Sequence, residues 1–317
     1  MKILVTGGLG FIGSNFIEWF LNFNSKLEIV NIDKCDYCAR EKNVGVHPRY
    51  TFVKMDITDS HGMEEVFKVH QPTHVVHFAA QSFVDLSFEQ SFQFTRDNVL
   101  GTHVLLETAR KYGKLTRFLH ISTDEVYGEV DEHVTCDESA RMNPSNPYSA
   151  SKAAAELYVH AYTNCYNVPC IITRCNNVFG PKQYPEKVVP IFIHQMMKDI
   201  PVTVHGEGLT RRNFIYVDDV SSALQCILDR GGVGETYNIG TKFELSVLEL
   251  HRNLIDVWPT QGNFEVKFVK DPRPHNDSRY CIDSSKLRKL GWKESFNFKD
   301  KLKETVKWYS DNPDWWA

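Results

Sequence analysis

Two pairs of residues in this chain have the types and spacings that proton transfer needs. Asp124 and Glu125 stand side by side in HISTDEVYGE, directly after the apolar run RFL, and Tyr148 and Lys152 stand four apart in PYSASK. Acids beside a strand end usually begin a solvated loop, and Glu129, Asp131 and Glu132 would continue such a loop here. Adjacent carboxyls sharing one site can instead divide a reaction, one taking a proton while the other gives one. Helix positions four apart share a face, so the Lys152 ammonium can lie near the Tyr148 phenol, lower its pKa and make it a base for a substrate hydroxyl. Ser122 and Thr123, at the end of the preceding strand, could offer a hydroxyl to the same substrate oxygen.

A second constellation points to a nucleotide. Thr6-Gly7-Gly8-Leu9-Gly10-Phe11-Ile12-Gly13 follows the first apolar run and opens the first helical stretch, and reads as G-x-G-x-x-G from Gly8 or G-x-x-G-x-x-G from Gly7. Glycines there let the backbone turn tightly, approach a pyrophosphate and aim helix N-terminal amides at its charge. Asp33 lies twenty residues after Gly13. A carboxylate at that place accepts both ribose hydroxyls of NAD and repels the extra phosphate of NADP, although Lys34 beside it pulls the other way. Asp56, and Phe78 to Ala80, follow later strands and could line the same groove.

These motifs need a scaffold, and the hydrophobic pattern supplies one. KILVT, LEIVNID, YTFVKMD, HVVHFAA, RFLHIST and PCIITRC read as strands, with helices expected over 12–23, 59–70, 89–113 and 147–167. This alternation predicts a doubly wound parallel α/β sheet of Rossmann type over residues 1–175. Ligands of such sheets bind at the carboxyl ends of the strands, where each motif falls. Residues 176–317 turn loop-rich, with Pro181, Pro185, Pro190 and Pro201, strands PVTVH and FIYV, and helices near 218–229, 246–258 and 298–310. They predict a smaller mixed α/β substrate-binding lobe, with some chain returning to the first domain and a cleft between the two.

Composition excludes several classes of function. The 36 basic and 40 acidic residues give a net charge of −4 over 317 residues, with no basic run suited to nucleic acid. No apolar stretch is long enough to span a bilayer, and MKILV reaches Thr6-Gly7-Gly8 too soon for a signal peptide, so a cytoplasmic protein is expected. The eight cysteines form no framework, and Cys35-x-x-Cys38 lacks the second pair a zinc site would want. His70, His74 and His77 read as strand-end or core residues, so no metal is expected. Trp308, Trp315 and Trp316 read as aromatics that dock the last helix.

Together TGGLGFIG, Asp33, STDEVYG, YSASK and CNNVFGP resemble the extended short-chain dehydrogenase/reductase family, nearly end to end. The resemblance implies NAD held by Gly7, Gly10, Phe11, Ile12, Gly13, Asp33, Asp56, Ile57, Phe78, Ala79, Ala80, Asn98, Tyr148 and Lys152. Within that family, sugar-nucleotide 4-epimerases carry small or neutral residues at the acid pair, and UDP-glucuronate decarboxylases carry Ser-Glu. Thr123-Asp124-Glu125 is similar instead to the nucleoside-diphosphate-glucose 4,6-dehydratases, which implies Glu125 as the base at C5 and Asp124 as the acid at the C6 oxygen. Ser82, Asn177, Glu186, Lys187, Arg212 and Arg279 match substrate positions, Arg211 competing with Arg212. AAQS at 79–82 and TRCNNVFGP resemble the eukaryotic-type branch, which includes plant enzymes acting on UDP-glucose, so UDP-glucose is expected over dTDP-glucose. The alternatives are a 4-epimerase, a decarboxylase or a non-catalytic nucleotide-sensing scaffold. The family also implies a homodimer through 89–113 and 147–167.

Overall fold

A computed structural model describes residues 1–23, 25–262, 264–295 and 297–316. The strands are β1 (Lys2–Thr6), β2 (Glu28–Asp33), β3 (Tyr50–Lys54), β4 (His74–His77), β5 (Arg117–Thr123), β6 (Cys170–Cys175), β7 (Asn177–Phe179), β8 (Val202–His205), β9 (Arg211–Tyr216), β10 (Thr236–Ile239), β11 (Glu244–Ser246) and β12 (Val266–Val269). The helices are α1 (Phe11–Phe23), α2 (Ser60–His70), α3 (Val84–Glu89), α4 (Ser91–Phe94), α5 (Gly101–Tyr112), α6 (Pro147–Tyr166), α7 (Val188–Met197), α8 (Val217–Arg230), α9 (Val247–Val257), α10 (Ser285–Lys289) and α11 (Phe298–Asp311).

Seven strands form one parallel sheet in the order β10-β6-β5-β4-β1-β2-β3. Alternation along each strand feeds two cores. Ile3 and Val5 pack with Phe16 and Ile17 of α1 and Ala223 and Leu224 of α8 on one face. Leu4 and Val75 pack with Phe67 of α2, Leu105 of α5 and Val159 of α6 on the other. This is the doubly wound Rossmann-type sheet expected from the pattern. A third core, holding Phe192, Phe214, Leu250 and Val306, binds α7, β9, α9 and α11. Among the described residues, no helix is long and apolar enough to cross a membrane.

Three differences from the sequence reading affect the site. The helix expected over 89–113 is broken: Gln90 leaves helical geometry, and Thr95–Leu100 forms a π turn before α5. The π turn carries Asn98, whose carboxamide accepts from the Gln81 N–H at 2.7 Å and donates to the Gln81 carbonyl at 3.0 Å, pinning the loop after β4. Helix α7 lies where the prolines suggested loop. Pro190 is its third residue, in the first turn, where a missing N–H has no intrahelical partner to lose. Strand β10 was not foreseen, and it returns from the second half of the chain to pair with β6.

Trp308, Trp315 and Trp316 do dock the C-terminus. Trp308 and Trp315 meet edge to face, the Trp315 indole N–H donates to Asn43 at 2.8 Å, and Trp316 meets Tyr184. His77 is also structural, bridging the hydroxyls of Thr6 and Thr102, and burial depresses its pKa to about 3.

Candidate active site

The carboxyl ends of β1, β2, β4, β5 and β6 open into one cleft whose other wall is the 175–189 segment. At its nucleotide end the glycine turn fits tightly against the neighbouring strand end. Gly7 has φ +74°, and a Cβ there would lie 2.6 Å from the Ala79 nitrogen. A Cβ on Gly13 would lie 2.5 Å from the Gly7 carbonyl oxygen. Side chains at either place would push the turn off the strand end or off the amino end of α1, where close packing aims the helix amides at a pyrophosphate.

Asp33 lines this end and also braces it, accepting the Leu9 N–H at 2.9 Å and the Cys35 N–H at 2.8 Å. Lys34 does not offer a free cation to a 2′-phosphate, because its ammonium pairs with Asp97 at 2.5 Å and Asp36 at 3.1 Å. The feature that argued against NAD is neutralised by neighbours remote in sequence. Asp56 accepts from Thr58 and Arg96, and Ile57, Phe78, Ala79 and Ala80 complete the lining. Asn98 lies beneath it and holds the Gln81 backbone and the Ser151 hydroxyl. The Ser122 hydroxyl is buried on the cleft wall with no hydrogen-bond partner, a need that a bound polar group would meet. These features fit a dinucleotide.

The chemical end is built by one turn and one cap. After β5, Asp124–Tyr127 forms a 3₁₀ turn, with the Thr123 hydroxyl accepting the Glu125 N–H at 3.3 Å. Successive side chains on such a turn diverge by about 120°. The two acids accordingly take different partners: Asp124 accepts from Asn176 at 2.8 Å, and Glu125 accepts from Asn146 at 3.3 Å. Asn146 in turn caps α6, with Pro147 as its first residue, so the helix carrying Tyr148 and Lys152 starts against the Glu125 carboxylate.

Burial, opposed by the Asn176 hydrogen bond and aided by the Glu125 charge, raises the Asp124 pKa to about 7. The Glu125 pKa is also raised by burial, against the pull of Arg212 and Lys187. Asp124 is suited to hold a proton near neutrality, as an acid must. Tyr148 departs from the sequence reading. Its pKa is raised, first by burial and then by Glu125, and its phenol is hydrogen-bonded with Thr123. Lys152 turns its ammonium to the Ile121 carbonyl at 2.7 Å, and burial lowers its pKa to about 8, Glu156 opposing. Burial first, and then the two neighbouring acids, set the Tyr148 phenol, rather than the lysine.

On the facing wall, Asn177, Glu186 and Lys187 line the cleft. Lys187 donates to the Ser82 carbonyl at 2.6 Å, and Glu186 accepts from Tyr37 at 2.8 Å, so both are anchored across the opening. Arg212 is set against Arg211 by strand alternation. Arg212 stacks over Tyr280 at 4.3 Å and draws the Glu125 pKa down, whereas Arg211 turns away to Glu244. Arg279 corrects the sequence reading: it pairs with Glu244 at 2.7 Å, donates to the carbonyls of Asp131 and Val134, and lines a separate cavity rather than this cleft. Its bridge to Arg211 places both on the same far side.

Sequence reasoning missed Asn146 and Asn176, whose hydrogen bonds reach the acid pair from elsewhere in the chain, and Tyr280, whose ring carries Arg212 and whose phenol lies within reach of the Glu125 charge. An asparagine directly before Pro147 was a legible cap signal; the other two had none. Glu129, His275 and Asp277 gather their ligand atoms within 4.8 Å, but Ser278, Ser145 and Tyr280 already bond the two carboxylates, which makes the group a structural knot.

Comparison with known proteins finds chains of similar sequence and fold. The family model described as GDP-mannose 4,6 dehydratase matches residues 4–305. A mouse protein named dTDP-D-glucose 4,6-dehydratase is 46% identical over 98% of this chain and 89% of its own length. A trifunctional UDP-glucose 4,6-dehydratase/UDP-4-keto-6-deoxy-D-glucose 3,5-epimerase/UDP-4-keto-L-rhamnose-reductase from Arabidopsis thaliana is 43% identical over 100% of this chain. The chain spans about half (48%) of that plant relative's length. The crystal structure of a dTDP-glucose 4,6-dehydratase from Streptomyces venezuelae, with NAD bound, superposes with a TM-score of 0.94 at 37% identity, covering 100% of this chain and 99% of the other.

Proposed function

The chain belongs to the GDP-mannose 4,6 dehydratase family, and from that premise we propose how its residues divide a 4,6-dehydration of a nucleoside-diphosphate glucose. It is an NAD-dependent nucleotide-sugar 4,6-dehydratase. NAD, when bound along the glycine turn, Asp33 and Lys152, supplies the redox chemistry that makes C4 a ketone and later reduces C6. The protein's own groups move the protons. Tyr148, hydrogen-bonded with Thr123, takes the C4 hydroxyl proton. Glu125 then removes the C5 proton, which the adjacent ketone has acidified. Asp124 gives its proton to the C6 oxygen, which leaves as water, and Glu125 returns its proton to C5. The proton taken from the C4 hydroxyl replaces the one lost from Asp124, so one water is released per turnover.

The observation that carries this reading is the divided acid pair: two buried carboxyls, adjacent in sequence, held by different partners, with Asp124 at a pKa of about 7. A 4-epimerase needs no second acid, and a scaffold has no reason to keep one costly to bury. Asn177, Glu186, Lys187 and Arg212 are read as the residues facing the sugar and diphosphate. The homodimer reading is supported by Leu100, Leu157 and Tyr158, which expose apolar surface on the π turn and α6.

UDP-glucose was expected from AAQS and CNNVFGP, yet the mouse relative named for dTDP-glucose is as similar as the plant relatives named for UDP-glucose. The nucleoside is therefore set by experiment: purified protein is incubated with UDP-glucose, dTDP-glucose and GDP-mannose, and products are weighed by mass spectrometry. Loss of one water from a glucose nucleotide is the expected result. Recovery of only the 4-epimer, or of unchanged sugar in every case, would sink the dehydratase reading.

A further inference from the structure

Asp124 is only as good an acid as the placement of its proton, and one side chain governs that placement. Asn176, between β6 and β7, is 3% exposed and lines the cleft. Its Nδ2 donates to Asp124 Oδ2 at 2.8 Å, and its Oδ1 accepts the Thr241 N–H at 3.1 Å. A backbone N–H can only donate, so the carboxamide oxygen must face Thr241 and the NH₂ must face Asp124. The loop doing this is itself fixed. The Asn176 N–H bonds the Ile239 carbonyl at 3.0 Å, and the Ser284 hydroxyl bonds the Gly240 carbonyl at 3.1 Å. A Cβ on Gly240 would fall 2.1 Å from Asn176 Oδ1, so glycine is what lets the loop come this close.

We propose that Asn176 is a positioning residue that assigns the acidic proton of Asp124 to Oδ1, the oxygen beside Thr123, and so aims the acid at the leaving C6 oxygen. An oxygen that accepts the Asn176 N–H cannot also point a proton along that line; the proton goes to the other oxygen, Oδ1, whose neighbour at 3.4 Å is the Thr123 hydroxyl, a group that donates to Oδ1 when Asp124 is ionised and can turn to accept when Oδ1 is protonated, as the Asn176 NH₂ cannot. The same donor stabilises ionised Asp124 after the proton has left. Asp124 is faced by Glu125 on its own turn, Arg212 from β9, Tyr148 from α6, Cys175 from β6 and Cys136. Each of these is retained when residue 176 or 240 is changed. The proposal rests on the 4,6-elimination reading and adds to it a residue that touches neither reacting carbon.

The test compares Asn176→Ala, Asn176→Asp and Gly240→Ala with wild type as NAD-loaded enzymes. Reduced-nicotinamide absorbance reads C4 oxidation, and mass loss reads elimination. Asn176→Ala should keep oxidation within about twofold and lower elimination about 10–100-fold, through kcat rather than KM, because a hydrogen bond to a charged group is lost. The basic limb of its elimination profile should move to higher pH, the stabiliser of the ionised acid having gone. Gly240→Ala, at a position outside the cleft lining, should repeat both effects by displacing the carboxamide. Asn176→Asp keeps the Thr241 bond but turns an acceptor on Asp124, and should move the limb furthest. Unchanged profiles in all three, or equal losses of oxidation and elimination, would overturn the proposal. Failure of wild type to release water would instead overturn the dehydratase reading beneath it.

Discussion

Asp124→Asn should lower turnover about 10²–10⁴-fold, the usual contribution of a positioned general acid, while leaving oxidation at C4 intact. Reduced nicotinamide should therefore build up on mixing with substrate, and C5 should still exchange with solvent deuterium through Glu125. Absence of either signal would show that the two acids have been given the wrong roles. The substitution also has a stability effect of opposite sign. The folded-state pKa of Asp124, about 7, lies above its ordinary value of 3.8. Between those values the unfolded chain binds fewer protons than the folded one, so stability falls as pH rises from about 4 to about 7, and the penalty is complete above that. An asparagine removes the charge and can still accept from Asn176. The variant should be more stable than wild type by on the order of 2–4 kcal/mol at about pH 8, and equal to it at about pH 4, as read by chemical denaturation. A dead enzyme that is harder to unfold is the signature of a site kept for chemistry.

Glu156→Gln should do the reverse, destabilising the fold by about 3–5 kcal/mol and lowering Tm by on the order of 5–10 °C. Arg174 on β6 and Glu156 on α6 form an ion pair at 2.6 Å, their side chains 4% and 0% exposed. The Arg174 Nε reaches both carboxylate oxygens at 3.1 Å, and its guanidinium lies 4.6 Å from the Tyr127 ring. Removing only the carboxylate leaves a buried guanidinium with no counter-charge, which costs more than the pair contributes. The double variant Glu156→Leu with Arg174→Met should recover most of the loss; a double variant as unstable as the single would refute the desolvation account. Glu156 also holds the Lys152 pKa up. In Glu156→Gln the Lys152 pKa should fall further, so the activity that depends on its positive charge is lost at lower pH.

The two variants differ because their carboxylates meet burial differently. Glu156 is matched by a cation in contact, and its charge is part of the core. Asp124 has a carboxamide and a like-charged neighbour, and is held for its proton. From sequence alone both are acids within apolar surroundings, AAAELYV and HISTDEVYG. Distinguishing them needs partners that lie 18 residues away in one case and 52 in the other.

Local pattern carried much of the rest. KILVT and RFLHIST are strands to the residue, and α1, α2 and α6 begin and end within one residue of the expected bounds. Their signals are short-range: apolar runs of strand length, Asp59 capping α2, and the Asn146-Pro147 start of α6. The same short-range rules failed at Gln90 and at α7, where tertiary contacts override propensity and proline counts. Relative placement was legible only where periodicity sets it, as for Tyr148 and Lys152 on one turn. It was not legible for Arg279, because a guanidinium goes to the nearest available carboxylate, here Glu244.

The sequence by itself determined the glycine turn, the strand ends and the four proton-handling side chains, because each is a matter of residue type at a spacing that backbone geometry enforces. The tertiary structure decided which charges are live. It quenched Lys34 with Asp97 and Asp36, withdrew Arg279 to Glu244, brought Arg212 to Glu125, and used β10 to carry Gly240 and Thr241 against Asn176. Those outcomes depend on desolvation and on contacts between segments far apart in the chain, and neither is a property of any local stretch.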